Sequence, residues 1–396
     1  MFGCGRHKPE RIMQDAQQAF QQRDFVTAMI KLDDFLQRYP DNPLAVEAQF
    51  AIGRCNMGLG RFDKAIEEYQ KLVKKYPASS DLIKGAELDI ASAYVEMGKF
   101  TEAVSQYDKI LTTFSKETEL VALTRFNRAR VFEQQKKWDD AIKGYTELVN
   151  SNAPERMRAD AYQQTAEIYR QLKKYPATVA TYKTILTKFA DKAPVRVVYD
   201  WYIQIAEAYK ANQQFALAIE TYKTVTTKLV KLPKLERAEL EFKIADAYKQ
   251  QKKYKEAIAA YQSVQKQYAT DPLAQDFAFW SNVELGSIYR KEMNDMKSAM
   301  PYYEVAIKSY TEMMKNPPMG DSGKAAYAAV KLGEIYEHHL GDKAKALETY
   351  KLTVQKYPKA QWRQFAQLGV LRLTQDTTKK TIATDTSKTA INKPKK

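Results

Sequence analysis

Few side chains in this chain of 396 residues could do covalent or metal chemistry. There are three histidines and two cysteines. His338 and His339 are adjacent, so on a helix they point about 100° apart and cannot share a metal. They read as solvated turn residues beside Gly341, and His7 lies in an unpatterned start. Cys55, between Ile52 and Met57, reads as a small apolar packing residue. No glycine-rich phosphate loop, nucleophile elbow or metal-ligand spacing occurs. The chain therefore implies no catalysis, no cofactor and no metal, and what remains is binding. Four cations are spaced for that: Arg170, Lys210, Lys249 and Arg290, 39 to 41 residues apart. Such a row would take the carboxylates of an anionic partner. A local alternative competes. Glu167, Glu207 and Asp246 stand three residues before the first three cations, and such helical pairs neutralise each other for about 0.2–0.5 kcal/mol. Arg290 has Ser287 at that place and lacks the partner.

A row with this period must be positioned by a repeated unit, and one is present. Small residues recur at Ala16, Gly53, Ala91, Ala129, Ala166, Ala206, Ala245, Gly286 and Gly333. Each is followed 12 or 13 positions later by Ala, or by Thr178 in the fifth unit. Four residues beyond comes Leu32 in the first unit and then always tyrosine, from Tyr69 to Tyr350. Between them apolar residues fall at helical spacing, as in Ile66, Tyr69, Leu72 and Val73. Each unit reads as helix A, a tight turn, helix B and a link. The turns hold Gly60, Gly98 or a polar pair such as Gln213–Gln214. Helices B end at Tyr39–Pro40, Tyr76–Pro77 and Tyr357–Pro358, because proline cannot continue a helix. The small residues let helices A and B approach closely, and the tyrosine is expected to pack on the following helix A. A lone pair cannot bury its apolar face, so neighbours must stack. The fold class is all-α, an α-solenoid of about nine helix pairs over residues 10–373. Residues 362–373 read as a helix covering its end. Residues 1–9 are unpatterned. Residues 374–396 are a basic tail without aromatics, too polar to bury a core. A loop is expected around residues 316–320.

These residues resemble the tetratricopeptide repeat over residues 10–358. That repeat places small residues at positions eight and twenty, an aromatic at twenty-four and proline at thirty-two. The resemblance implies a right-handed superhelix and non-catalytic protein binding. It also implies a concave groove lined by positions two, five, nine, twelve and thirteen of helix A. Carried onto this chain, Phe50, Leu88 and Phe126 take position five and Arg130 position nine. Met57, Arg170, Lys210, Lys249 and Arg290 take position twelve. The groove would then suit an extended peptide with an apolar end and an acidic end. The chaperone-binding members use an asparagine at position nine, and no unit here has one. The period departs from the usual 34: it is 37 to 40 through the first seven units, about one extra helical turn. The last two units carry one more residue in the A–B turn.

Residues 18–112 are similar to the repeat lipoproteins of bacterial outer-membrane assembly and to the periplasmic repeat protein of the Tol–Pal system. Gly3–Cys4 resembles a lipoprotein junction, which implies a lipidated Cys4 and attachment to a membrane on the periplasmic side of a bacterial envelope. A cytosolic adaptor is the alternative. Net charge is +15, with +4 of it in the last 23 residues. A third reading is nucleic-acid binding through the basic groove and tail. It is disfavoured because no aromatic lies in that tail to stack bases.

Overall fold

Aromatic residues and left-handed turn residues set the rhythm of this fold. They do so in a computed structural model of the chain that describes residues 8–77, 80–317 and 322–375. The chain divides into two compact units, Met1–Ala193 and Pro194–Lys396. The first holds five helix pairs: α1 (Pro9–Gln21) and α2 (Phe25–Arg38), α3 (Ala45–Gly58) and α4 (Phe62–Lys75), α5 (Ser80–Glu96) and α6 (Phe100–Thr113), α7 (Thr118–Gln134) and α8 (Trp138–Val149), α9 (Glu155–Gln171) and α10 (Tyr175–Phe189). The second holds α11 (Val195–Ala211) and α12 (Phe215–Lys228), α13 (Lys234–Gln250) and α14 (Tyr254–Tyr268), α15 (Gln275–Ser287) and α16 (Met296–Lys315), α17 (Ser322–Glu334) and α18 (Lys343–Lys356). A closing helix, α19, spans residues 363–375, two residues past the expected end. Within each unit every helix packs on the one before and the one after. No strand occurs among the described residues. Each unit is thus an α-solenoid of helix hairpins.

The turns between helices A and B explain why glycine is optional there. Nine residues, one per turn, have positive φ: Arg23, Gly60, Gly98, Lys136, Lys173, Gln213, Lys252, Asn294 and Gly341. In the first pair the Asp24 N–H reaches back to the Ala19 carbonyl at 2.9 Å and the Arg23 N–H to that of Phe20 at 3.0 Å. This closes the orphan carbonyls of helix A and reverses the chain. Exposed lysines can adopt the left-handed conformation at a cost that the repeated packing covers. The residue after the turn starts helix B with an aromatic, from Phe25 to Tyr254, as the pattern required.

The longer period goes into helix A. From α5 to α13 these helices are 17 residues long, against 14 for α3. The extra residue of the last two units does not lengthen the turn. It widens the end of helix A into a π segment at Ile288–Glu292 and again at Ile335–Leu340. A π turn absorbs one residue while leaving the following cap in phase. The Asp295 N–H and the Asp342 N–H each bond a carbonyl six residues back, at 2.8 Å.

The tyrosines are buried, and they lie against helix A of their own pair as well as the following helix, as Tyr69 does on Asp89 of α5 and Tyr350 on Gly369 of α19. A Cβ placed on Gly286 would meet the Tyr303 ring at 2.7 Å, and Gly53 and Gly333 stand in the same relation to Tyr69 and Tyr350. Position eight is small because the ring of position twenty-four occupies the space above it. Close approach of the helices follows from that interlock. The aromatics at position five complete the wedge: Phe50 on Tyr69, Phe126 on Tyr145 and Phe242 on Tyr261 have ring centroids 5.6, 5.4 and 5.3 Å apart. Cys55 is buried in the first core, and burial pushes its thiol up to about 11 against the opposing charge of Arg54. Residues 1–7, 318–321 and 376–396 lie outside the described residues, so Cys4, most of the expected loop and the basic tail do too.

Candidate protein-binding site

Helices A of the first two pairs make a cleft of about 500 Å3. Met13, Gln17 and Phe20 of α1 form one wall, and Glu47, Phe50 and Arg54 of α3 form the other. The Arg54 guanidinium lies over the Phe20 ring, 5.0 Å from its centroid. The floor is apolar and the rim carries one acid and one base. Between α5 and α7 a smaller recess of about 150 Å3 is lined by Val95, Tyr107, Asn127 and Arg130. Phe50 and Arg130 thus border open space. Met57, Leu88 and Phe126 are half-buried and pack on the apolar core instead. Phe50 does both, packing on Tyr69 with one face and lining the cleft with the other.

The cations of position twelve do not form a free basic row. In the first unit Arg170 pairs with Glu167 at 2.5 Å. In the second unit they alternate with carboxylates. Lys210 lies 3.4 Å from Glu207 and 3.3 Å from Asp246 of the next helix A. Lys249 lies 3.7 Å from Asp246 and 2.6 Å from Glu284. Burial alone would raise the Glu207 carboxyl. The Tyr222 hydroxyl, Lys243 and Lys210 outweigh it and hold the group below the usual carboxylate range. This row corrects the expectation of a basic groove: neighbouring helices present acid and base in turn, and each neutralises the other. The ladder stops at Arg290. Its guanidinium donates to the His338 backbone carbonyl at 3.2 Å, and among the described residues no carboxylate pairs with it. In the last pair Glu337 takes the same position and is held by Arg372 of α19.

Three models of the tetratricopeptide repeat match the chain, over residues 47–79 and 327–360, 88–156 and 203–272, and 281–311. Together they cover more than half of it. This chain belongs to the tetratricopeptide-repeat family. No curated protein matches its sequence. Similar solved structures include a tetratricopeptide repeat protein from Parabacteroides merdae, 14% identical over 69% of this chain and 98% of that one, with a TM-score of 0.38. Another is the C-terminal part of a repeat-containing protein from Cytophaga hutchinsonii, 16% identical over 81% and 99%, with a TM-score of 0.41. A third is the apo form of RapI, 11% identical over 89% and 98%, with a TM-score of 0.46. None of these three likenesses bears on what this chain binds.

In this tetratricopeptide-repeat protein one site residue escaped sequence reasoning for a local reason. His339 is not a solvated turn residue. The π segment turns it inward, against Trp280 and Tyr303 with ring centroids 6.2 and 5.7 Å away. Burial, together with the charges of Lys291, Arg290, His338 and Lys249, lowers it to about 4, so it is neutral at pH 7. His338 stays exposed. The one sign of this in the sequence is the extra residue in the repeat. Among the described residues no group of three or more His, Cys, Asp or Glu is placed to hold a metal, and no helix is long and apolar enough to cross a membrane.

Proposed function

We propose that this tetratricopeptide-repeat protein is a non-catalytic scaffold that holds an extended segment of a partner protein against helices A. Repeats of this family serve protein–protein interaction. The observation that carries the reading for this chain is the cleft of Met13, Phe20 and Phe50, rimmed by Glu47 and Arg54. An apolar floor with few polar groups at its edge is the usual make-up of a site that seats a side-chain anchor. A random peptide library displayed on phage and panned on the full chain tests it. Enriched peptides share an aromatic or aliphatic anchor, and Phe50→Asp loses them by about 100-fold. A library that enriches nothing, or peptides indifferent to Phe50→Asp, would end this reading.

The scaffold acts at the periplasmic side of a bacterial envelope membrane, held there through Cys4. Support comes from the Gly3–Cys4 junction and from the expanded repeat period. Mass spectrometry of the protein from its native cell checks this directly. An acyl-modified cysteine at position 4 is the expected result. An unmodified thiol there makes the protein a cytosolic adaptor instead.

A further inference from the structure

In the second unit, the edge where each helix B leads into the next helix A carries apolar side chains at places that usually hold polar ones. The link from α12 to α13 closes as a tight turn, the Leu232 N–H donating to the Leu229 carbonyl at 3.0 Å. Leu232 goes into the core and leaves Val230 and Lys231 at the tip, where Val230 is 74% exposed. The Arg237 guanidinium donates to the Val230 carbonyl at 3.2 Å, so an ordered turn displays the tip. The link from α14 to α15 does the same with other parts. The Asp271 carboxylate accepts the Leu273 N–H at 2.9 Å and the Ala274 N–H at 3.1 Å. Ala274 is buried and Leu273 is 60% exposed. Turns of this kind favour Gly, Pro, Asn, Asp or Ser at the tip. One exposed apolar residue is ordinary, but two held out at successive links of one edge mark a contact surface.

Two ion pairs draw the neighbouring links into one row. Arg196, beside Val195 at the start of α11, lies 2.5 Å from Glu236 of α13, and Lys234 lies 3.4 Å from Asp271. Val195 and Leu235, next to these charges, are exposed as well. Arg196 also lies 3.5 Å from Asp200. The carboxylates of the row, Asp200, Glu236 and Asp271, are therefore engaged. Its other cations are not. Lys228 and Lys266, in the last turns of α12 and α14, and Lys231 at the tip are exposed and pair with no carboxylate among the described residues. The helix dipole accounts for a lysine in a last turn. It does not account for Lys231, which stands outside any helix.

We propose that this edge of the second unit rests on an anionic bilayer surface. Val230 and Leu273 enter the boundary between headgroups and acyl chains, and Lys228, Lys231 and Lys266 meet the lipid phosphates. Apolar tips flanked by lysines bind such a surface by buried apolar area and by charge together. A flat surface can also meet a row of links at once. A nucleic-acid backbone would use the lysines but offers the two apolar tips nothing to enter. The contact uses neither the cleft on α1 and α3 nor Cys4.

The test uses the full chain with Cys4→Ser, so that no acyl group takes part and the outcome is independent of lipidation in the cell. Vesicles of phosphatidylglycerol and phosphatidylcholine in equal parts are compared with phosphatidylcholine alone. Val230→Cys, Leu273→Cys and Ala211→Cys each receive an environment-sensitive fluorophore, while Cys55 is buried and stays unlabelled. Ala211 is exposed at the far end of α11 from Val195 and serves as the reference. The probes at positions 230 and 273 shift to the blue on the mixed vesicles, and the probe at 211 does not. In sedimentation with the same vesicles, Lys231→Gln lowers partitioning about five-fold. Val230→Ser combined with Leu273→Ser lowers it about ten-fold. Both tips are already exposed, so these changes leave the fold intact. Equal binding to the two kinds of vesicle, or no binding to either, overturns the proposal. So does binding that leaves the probes at 230 and 273 in water, which is the result if residues 376–396 alone attach. Duplex DNA that binds more tightly than the mixed vesicles makes this a nucleic-acid edge and overturns it as well.

Discussion

Tyr69→Ala destabilises the second helix pair by about 3–5 kcal/mol. The ring is fully buried. It fills the space above Gly53, touches Phe50, and ties α4 to α5 through its hydrogen bond to Asp89. Glycine has no side chain to fall into the vacancy, so the cavity stays open and its walls lose their contacts. Asp89 also loses a donor in a place where burial already pushes its carboxyl above the usual range. The converse change gives a smaller loss with the same cause. Gly53→Ala gains about 1 kcal/mol of helix preference. It costs about 1–3 kcal/mol to move the ring. Stability is then lowered, although alanine is the better helix former. Repeat stacks open segment by segment, so native-state hydrogen exchange of α3 to α5 is the measurement. A change under 1 kcal/mol in Tyr69→Ala would show that the interlock does not hold the pair together.

Glu337→Gln frees the closing helix. The Glu337 side chain is 7% exposed and takes two hydrogen bonds from Arg372, at 2.7 and 2.6 Å, besides the one from Tyr350. Hydrogen bonds to charged groups are worth about 1.5–3 kcal/mol; Arg372 is half exposed, so the loss falls at the low end. Amides of α19 exchange about ten-fold faster in the variant at pH 7. Acid does the same to the wild type. Burial would raise the Glu337 carboxyl, but Arg372 and Tyr350 hold it below the ordinary value of 4.5. The unfolded chain therefore binds the proton more readily than the folded one. This stabilisation is complete above about pH 4.5 and fades as pH falls toward the lowered folded value. Equal exchange of α19 in the variant and the wild type at neutral pH would refute the clasp.

The helix pairs were legible because their signal is repeated. Ala16 means nothing alone, but nine small residues in register with eight tyrosines mean one packing solution used again. The aromatic that opens helix B, the Tyr-Pro stops and the extra turn of helix A follow from the same register. The site was less legible. The pairing of Glu207 with Lys210 is local and could be read, since three residues apart on a helix is a fixed distance. The bond from Lys249 to Glu284 joins residues on successive helices A. It depends on how those helices stack, which no spacing reveals. His339 was misread because one extra residue in a turn looks like a longer loop, whereas the chain closed it as a π segment and swung the ring inward.

The sequence by itself determined that this is a stack of helix hairpins, because buried small and aromatic residues can satisfy each other in only one arrangement. Its resemblance to the repeat also made helix A the expected binding face. Only the tertiary structure decided which residues of that face are available. Charges on neighbouring helices cancel where they meet, and among the described residues Arg290 pairs with no carboxylate, because Ser287 stands where Glu167, Glu207 and Asp246 stand in the three preceding pairs.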